Sequence, residues 1–375
     1  MTNEQQLTMV TSTNLDTAAL YGMSINDISH QLSAMQQQES TTYRSIDYLS
    51  SPECLTSTVF NKASSPSLPV TDVPGGYTIG DSSKENINVQ DHISSRSKMC
   101  QWSYQLTDMT SLSRLAVSRA MHYLDRFLAT SYTHNNKHAL QALHNKREYQ
   151  LASMTCLYIS IKLYEPLTMD ASLLSDISQG CYTTQDITDM ENIILNALEW
   201  KMNGPTSQEF VSLLLGLLEP SGYRYDVDVL GSLYDVSKFQ CELASTDYDI
   251  SVRYKPSVVG LASILNSMEV MDDTLLSKRA RDAFLISECD MMMQRGESIS
   301  TTSDGLLNMK EVRLVQVRLR QLFCQNSSTL RDDDDDDIAR SRSGDDSKVN
   351  KSSGTERFKN DVDWKCSSPV SVVRR

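Results

Sequence analysis

Residues 149–166 read YQLASMTCLYISIKLYEP, and this stretch decides the fold. A helix drawn from Tyr149 to Lys162 carries apolar side chains on nearly every side, with no continuous polar face. A helix that is apolar all round is buried all round, so we expect it to form the centre of a helical bundle.

Helical periodicity continues on both sides of this stretch. Residues 111–128 place four apolar side chains on one face at helical spacing: Val117, Met121, Leu124 and Leu128. Further along, Thr183–Asp186 has the pattern of a capping box, a helix with one apolar face follows it, and Pro205 marks its end. More helical patterns follow Pro205, and strand signals are few. We therefore predict an all-α protein built from two bundles of about five helices each.

Composition divides the 375 residues into four segments. Residues 1–90 and 326–375 are predicted to be disordered tails, because neither shows a sustained apolar period that would offset the entropy of ordering the chain. Only a short helix near residues 17–37 is suggested in the first tail, and the second carries six consecutive aspartates that repel one another. The two bundles are predicted over residues 91–204 and 205–325.

Charge and motif content exclude several classes of function. The formal net charge of −13 argues against contact with nucleic acid, which needs a basic surface. The eight cysteines show no CxxC spacing, so neither a metal site nor a redox pair is predicted, and no cofactor is implied. No phosphate-binding glycine loop or nucleophile–base set indicates an enzyme. No membrane-spanning stretch and no secretory signal are visible, so we expect an intracellular protein with no membrane partner, in the nucleus and cytoplasm.

Two charged residues 29 positions apart, Lys162 and Glu191, lie in helical stretches together with Arg96 in SSRSKMCQW, Asp125 in HYLDRFLAT, and Leu151. In identity and order these five residues resemble the cyclin box, so the chain is identified as similar to the cyclin family, with tandem cyclin folds. The resemblance implies a regulatory subunit that binds and activates a cyclin-dependent protein serine/threonine kinase in cell-cycle control. It implies an internal ion pair between Arg96 and Asp125, and a kinase-binding surface made of Lys162, Leu163, Glu165, Glu191, Leu195, Trp200 and Met202.

One part of the family pattern is altered in this chain. Many cyclins carry a substrate-docking groove, to which Met99, Trp102 and Gln150 correspond here. Ser97 and Lys98 replace two apolar residues of that groove in the family. Docking of an Arg-x-Leu peptide in this chain is therefore in doubt. The connection containing HNNKHALQALHNKREY is also about ten residues longer than usual, and we interpret it as a surface insertion.

Two further predictions concern partners. The tripeptide Lys84, Glu85 and Asn86 reads KEN, which can recruit a ubiquitin ligase of the anaphase-promoting type. The alternative to kinase activation is a cyclin-fold adaptor or scaffold in transcription. Such adaptors are basic and lack the lysine–glutamate pair, so the acidic charge of this chain favours the kinase regulator.

Overall fold

A computed structural model describes residues 24–50, 89–166, 169–216, 227–271 and 308–340, together with most positions between 273 and 284. Within these ranges every regular element is a helix, so the predicted all-α class is confirmed. In the same ranges no helix is both long and apolar enough to cross a bilayer.

Six helices of the described ranges form the first bundle. They are α2 (Val89–Thr110), α3 (Leu115–Thr133), α4 (Lys137–His144), α5 (Lys146–Tyr164), α6 (Ala171–Ile177) and α7 (Thr184–Ala197). Every residue of α5 from Tyr149 to Ile161 is buried, so this helix lies at the centre of the bundle as predicted. Helix α7 begins with the predicted capping box, in which Thr183 and Asp186 exchange hydrogen bonds.

The long connection before α5 is more ordered than a surface insertion needs to be. Its helix α4 begins at Asn136, whose side chain accepts hydrogen bonds from two backbone N–H groups. Ala139, Ala142 and Leu143 are buried in the first core. The additional residues therefore extend the bundle with a packed helix.

Five described helices make up the second bundle: α8 (Ser207–Gly216), α9 (Val227–Thr246), α10 (Tyr248–Arg253), α11 (Pro256–Val270) and α12 (Met309–Arg340). Helix α11 is its centre, because every residue from Ser257 to Met268 is buried. One of the helical patterns after Pro205, over residues 275–294, falls mostly outside the described residues. Helix α12 continues to Arg340, past residue 325, where we predicted that a disordered tail begins; a helix already nucleated adds one hydrogen bond for each further residue.

The prediction that all of residues 1–90 are disordered is wrong for residues 25–50. Helix α1 (Ile25–Ser40) packs against the second core through Ile28, Leu32 and Met35, which lie on one face at helical spacing. Beyond it, Tyr48 and Leu49 are buried in the first core. The apolar partners of this segment lie on helices that are distant in the sequence. Its own short apolar pattern therefore did not reveal that the segment is ordered.

Candidate functional site

Lys162 and Glu191 meet on one face of the first bundle. Lys162 lies in the last turn of α5, and its Nζ donates a hydrogen bond to Oε1 of Glu191 on α7 at 2.9 Å. The lysine side chain is 50% exposed and that of the glutamate 11% exposed. The Lys162 ammonium also lies 5.5 Å from the centroid of the Tyr158 ring, one turn earlier on α5. The pair therefore exposes the ammonium group of Lys162, and Glu191 and Tyr158 fix its position.

The electrostatics of the pair keep the lysine charged. The hydrogen bond to Glu191 is the largest influence on the pKa of Lys162 and raises it, with the charge of Glu191 acting in the same direction against partial burial. A fixed ammonium group at a helix end can bind carbonyl or carboxylate oxygens of a partner protein.

Two of the predicted surface residues have large, exposed apolar side chains. Leu163 follows Lys162 and is 51% exposed, and Trp200 is 65% exposed. Trp200 has a positive φ of 60°, and its indole Nε1 donates to Asn196 Oδ1 at 3.3 Å. Exposed aromatic and aliphatic side chains around an anchored polar pair are typical of a protein-binding surface.

The structure places the other predicted surface residues differently. Glu165 is half-buried and caps α5, where its backbone N–H donates to the carbonyl of Ile161. Leu195 and Met202 are only 7% exposed and belong to the first core. The Met202 carbonyl accepts the hydroxyl of Tyr123 at 2.8 Å. Leu195 and Met202 thus support the surface from beneath and offer a partner little area.

Sequence reasoning missed two residues that shape this surface. Tyr158 lies four residues before Lys162, and Asn196 lies four residues before Trp200. Residues four apart on a helix share a face, so the spacing of Tyr158 and Lys162 within α5 was a signal that could have identified Tyr158. Trp200 lies beyond the end of α7, so helical spacing gave no signal for Asn196.

Arg96 and Asp125 form a buried ion pair, and each side chain is 1% exposed. Arg96 Nε and Nη2 donate to the two carboxylate oxygens at 2.9 and 2.8 Å, which is the two-bond geometry that suits a planar guanidinium. Burial acts to lower the pKa of Arg96, but the charge and hydrogen bonds of Asp125 outweigh it and raise that pKa. Leu151 is buried in the core next to these helices.

The same guanidinium reaches beyond the first bundle. Its Nη1 donates to the Ser245 carbonyl and its Nη2 to Ser251 Oγ, both at 2.8 Å, and these residues belong to α9 and α10. Tyr48 Oη donates to Asp125 Oδ1 at 3.1 Å from the opposite side. We call Arg96, Asp125 and Tyr48 the hub. Its contacts with the second bundle and with the N-terminal segment were not predictable from the first bundle alone.

The three candidate docking residues do not share one exposed groove. Met99 and Gln150 are buried, and Gln150 Oε1 accepts the hydroxyl of Tyr182 at 3.0 Å. Trp102 is half-buried against the first core. The KEN residues Lys84–Asn86 lie outside the described residues.

The residues singled out by the resemblance lie on a scaffold that is all-helical in the described ranges. Residues 79–203 match the model of the cyclin N-terminal domain. The resemblance to the cyclin family and its cyclin box is therefore confirmed over these residues. Cyclin family proteins are regulatory subunits and not enzymes.

Several curated proteins are similar to this chain. G2/mitotic-specific cyclin-2 of Antirrhinum majus is 26% identical over 204 residues, which cover 53% of this chain and 42% of that protein. Cyclin-A1-4 of Oryza sativa is 25% identical over 51% of this chain and 49% of its own length. Putative cyclin-D6-1 of Arabidopsis thaliana is 31% identical over 45% of this chain and 50% of its own length. The chain thus spans half or less of the length of these relatives.

Among solved structures, a viral cyclin from herpesvirus saimiri is similar to this chain with a TM-score of 0.44 and 19% identity, covering 61% of this chain and 86% of that one.

Proposed function

We propose that this protein binds and activates a cyclin-dependent protein serine/threonine kinase in cell-cycle control, acting in the nucleus and cytoplasm. The observation that carries the proposal is the Lys162–Glu191 pair, which is exposed at its lysine end. Leu163 and Trp200 are also exposed, and the similarity of residues 79–203 to the cyclin N-terminal domain supports the proposal.

The mechanism depends on rigidity. A kinase is active when its strand lysine pairs with a glutamate on a mobile helix and its activation loop is ordered. Because α5 is buried from Tyr149 to Ile161, the surface at its end cannot easily yield to a partner. The mobile kinase helix must then adopt the one arrangement that fits this surface, and Lys162 fixes its register through polar contacts.

The size of the required effect is reasonable for such an interface. Shifting a kinase from 1% to 99% active requires the active form to bind about 5.5 kcal/mol more tightly than the inactive form. Stable regulatory interfaces bury roughly 2,000 Å² or more, and the exposed side chains of Leu163 and Trp200 offer apolar area to such an interface.

The test is the affinity of the full chain for a purified cyclin-dependent kinase. We expect the double variant Lys162→Ala with Glu191→Ala to bind more weakly by about 2–5 kcal/mol, because truncation of a desolvated interface charge has this effect. A matched control, Lys310→Ala with Glu311→Ala, removes the same two residue types from the first turn of α12 and should bind like the wild type. Equal affinity of all three proteins would contradict the assignment of the surface.

A separate proposal concerns the lifetime of the protein. The KEN tripeptide at Lys84–Asn86 can recruit a ubiquitin ligase of the anaphase-promoting type, and it lies in the first ten residues of the cyclin-domain match. The sequence alone supports this proposal.

A further inference from the structure

Residues 43–50 run across the junction between the two bundles. Tyr48 is buried, its hydroxyl donates to Asp125 of the hub, and its ring contacts the Tyr248 ring edge-on at 5.3 Å. The next residue, Leu49, is also buried, and its backbone N–H donates to the Tyr248 hydroxyl at 3.1 Å. Asp125 lies on α3, and Tyr248 lies on α10, a helix that places Tyr248 in the first core and Ile250 in the second. Tyr48 and Leu49 therefore contact the junction of the two bundles.

Polar contacts hold the outer edge of the same segment. Asp47 accepts hydrogen bonds from the Tyr248 hydroxyl at 2.9 Å and from Arg253 Nε at 2.8 Å. Arg253 Nη2 donates to Ser50 Oγ at 3.1 Å. The segment is therefore attached to α10 by a buried aromatic contact and by a partly exposed ion pair.

The beginning of the segment is anchored on the first bundle. The Tyr43 carbonyl is 3.0 Å from His122 Nε2 on α3, and the Tyr43 ring lies under the guanidinium of Arg126 at 5.0 Å. Gly204, in the linker between the bundles, approaches this ring so closely that a Cβ there would lie 2.8 Å from Tyr43 Cδ1. The segment thus contacts the first bundle, the linker and α10 in succession.

Helix α1 provides a second attachment upstream. Its Glu39 is buried and accepts hydrogen bonds from the backbone N–H and the hydroxyl of Ser257, at the start of α11. Lys255, the residue that caps α11, makes no side-chain capping bond of its own. Helix α1 is consequently fixed to the second bundle before the chain crosses to the first.

We propose that residues 43–50 are a strap that holds the two bundles in one relative orientation. A second part of the inference rests on the proposed function: this orientation determines how well the bound kinase is activated. Within one chain, bundles joined by a linker move relative to each other unless their interface is extensive. Here Tyr48 of the strap connects Asp125 on α3 with Tyr248 on α10. Tyr48 acts as a positioning residue, because it contacts Asp125 and Tyr248 and not Lys162 or Glu191 in these interactions.

The test is hydrogen exchange on the full-length chain, comparing wild type with the variant Asp47→Asn plus Tyr48→Phe. Loss of hydrogen bonds to charged groups should speed exchange in residues 43–50 and in α10 by about tenfold or more, with α5 unchanged. A control, Tyr182→Phe, removes a buried tyrosine hydroxyl inside the first bundle and should leave the strap and α10 protected. Asp47→Asn alone provides a readable result if the double variant does not fold.

Unchanged exchange in α10 and residues 43–50 would overturn the strap, whatever the kinase does. The second measurement is phosphate transfer by a kinase saturated with each protein. We expect the strap variant to bind kinase with near wild-type affinity but to support a lower rate; an unaltered rate would overturn the link between orientation and activation. A wild-type chain that activates no kinase would instead refute the proposed function and leave the exchange result standing.

Discussion

Replacing Arg96 by alanine should destabilise the fold and leave the Lys162 surface in place. The guanidinium makes four hydrogen bonds of 2.8–2.9 Å: two to Asp125, one to the Ser245 carbonyl and one to Ser251. The variant removes all four and leaves the Asp125 carboxylate buried with only the Tyr48 hydroxyl beside it among the hub contacts. Both the core of the first bundle and its junction with the second bundle lose support.

Breaking a buried ion pair by removing one partner costs about 3–5 kcal/mol. The total stability of a natural protein is about 5–15 kcal/mol, so the change removes a large share of it. For a protein of roughly 150–250 residues, each kcal/mol shifts the melting temperature by about 2–4 °C. The variant should therefore melt about 6–20 °C below the wild type, provided that unfolding remains cooperative.

The assay is thermal unfolding followed by circular dichroism, with kinase binding measured well below the transition. Arg96→Lys is a useful companion, because it keeps the charge and loses the planar two-bond geometry, so it should fall between alanine and wild type. A variant that melts like the wild type but fails to bind kinase would refute this reasoning and place Arg96 in the partner interface.

Three further predictions concern other parts of the chain. Burial raises the pKa of Glu39 from 4.5 to about 7 against the hydrogen bonds of Ser257, so the folded state retains a proton that the unfolded state has lost. The free energy of unfolding should thus fall as pH rises from 4.5 to about 7, and urea titrations of Glu39→Gln should show no such fall. A fall that persists in Glu39→Gln would contradict this assignment. Gly204→Ala should destabilise by about 1–3 kcal/mol through overpacking, whereas Gly231→Ala, with open space around it, should not; equal urea midpoints would exclude the close packing. Alanine at Lys84–Asn86 should slow decay in a cycloheximide chase after mitotic release without altering kinase affinity, and identical decay would reduce KEN to coincidence.

The centre of the first bundle was the most predictable part of the molecule. The apolar character of α5 on all sides has only one structural solution, which is full burial, and the Thr183–Asp186 capping box determines locally where α7 begins. These signals lie within one helix or its first turn. They depend little on what the rest of the chain does.

The N-terminal segment was the least predictable part. Helix α1 carries only Ile28, Leu32 and Met35 on its buried face, within a glutamine-rich stretch. The contact between Glu39 and Ser257 joins residues 218 positions apart, and no local sequence pattern predicts it. Order there comes from tertiary packing, so composition alone suggested disorder.

The candidate site falls between these extremes. The resemblance to the cyclin box indicated that Lys162 and Glu191 share a surface, and the structure joins them at 2.9 Å. The burial of Leu195 and Met202 depends on how α7 and the residues that follow it pack against the other helices of the first bundle. Side-chain exposure of that kind follows from the packing of several elements and is not encoded in a single motif.

The central claim is that this protein switches on a kinase, and the rate of phosphate transfer tests it most directly. An isolated cyclin-dependent kinase should be titrated with the full-length chain while phosphorylation of a serine/threonine peptide is followed. We predict that the rate rises with added chain and saturates at one chain per kinase, and that Lys162→Ala with Glu191→Ala shifts the titration to much higher concentrations. A kinase whose rate stays at its unstimulated level at every concentration of the chain would contradict the account.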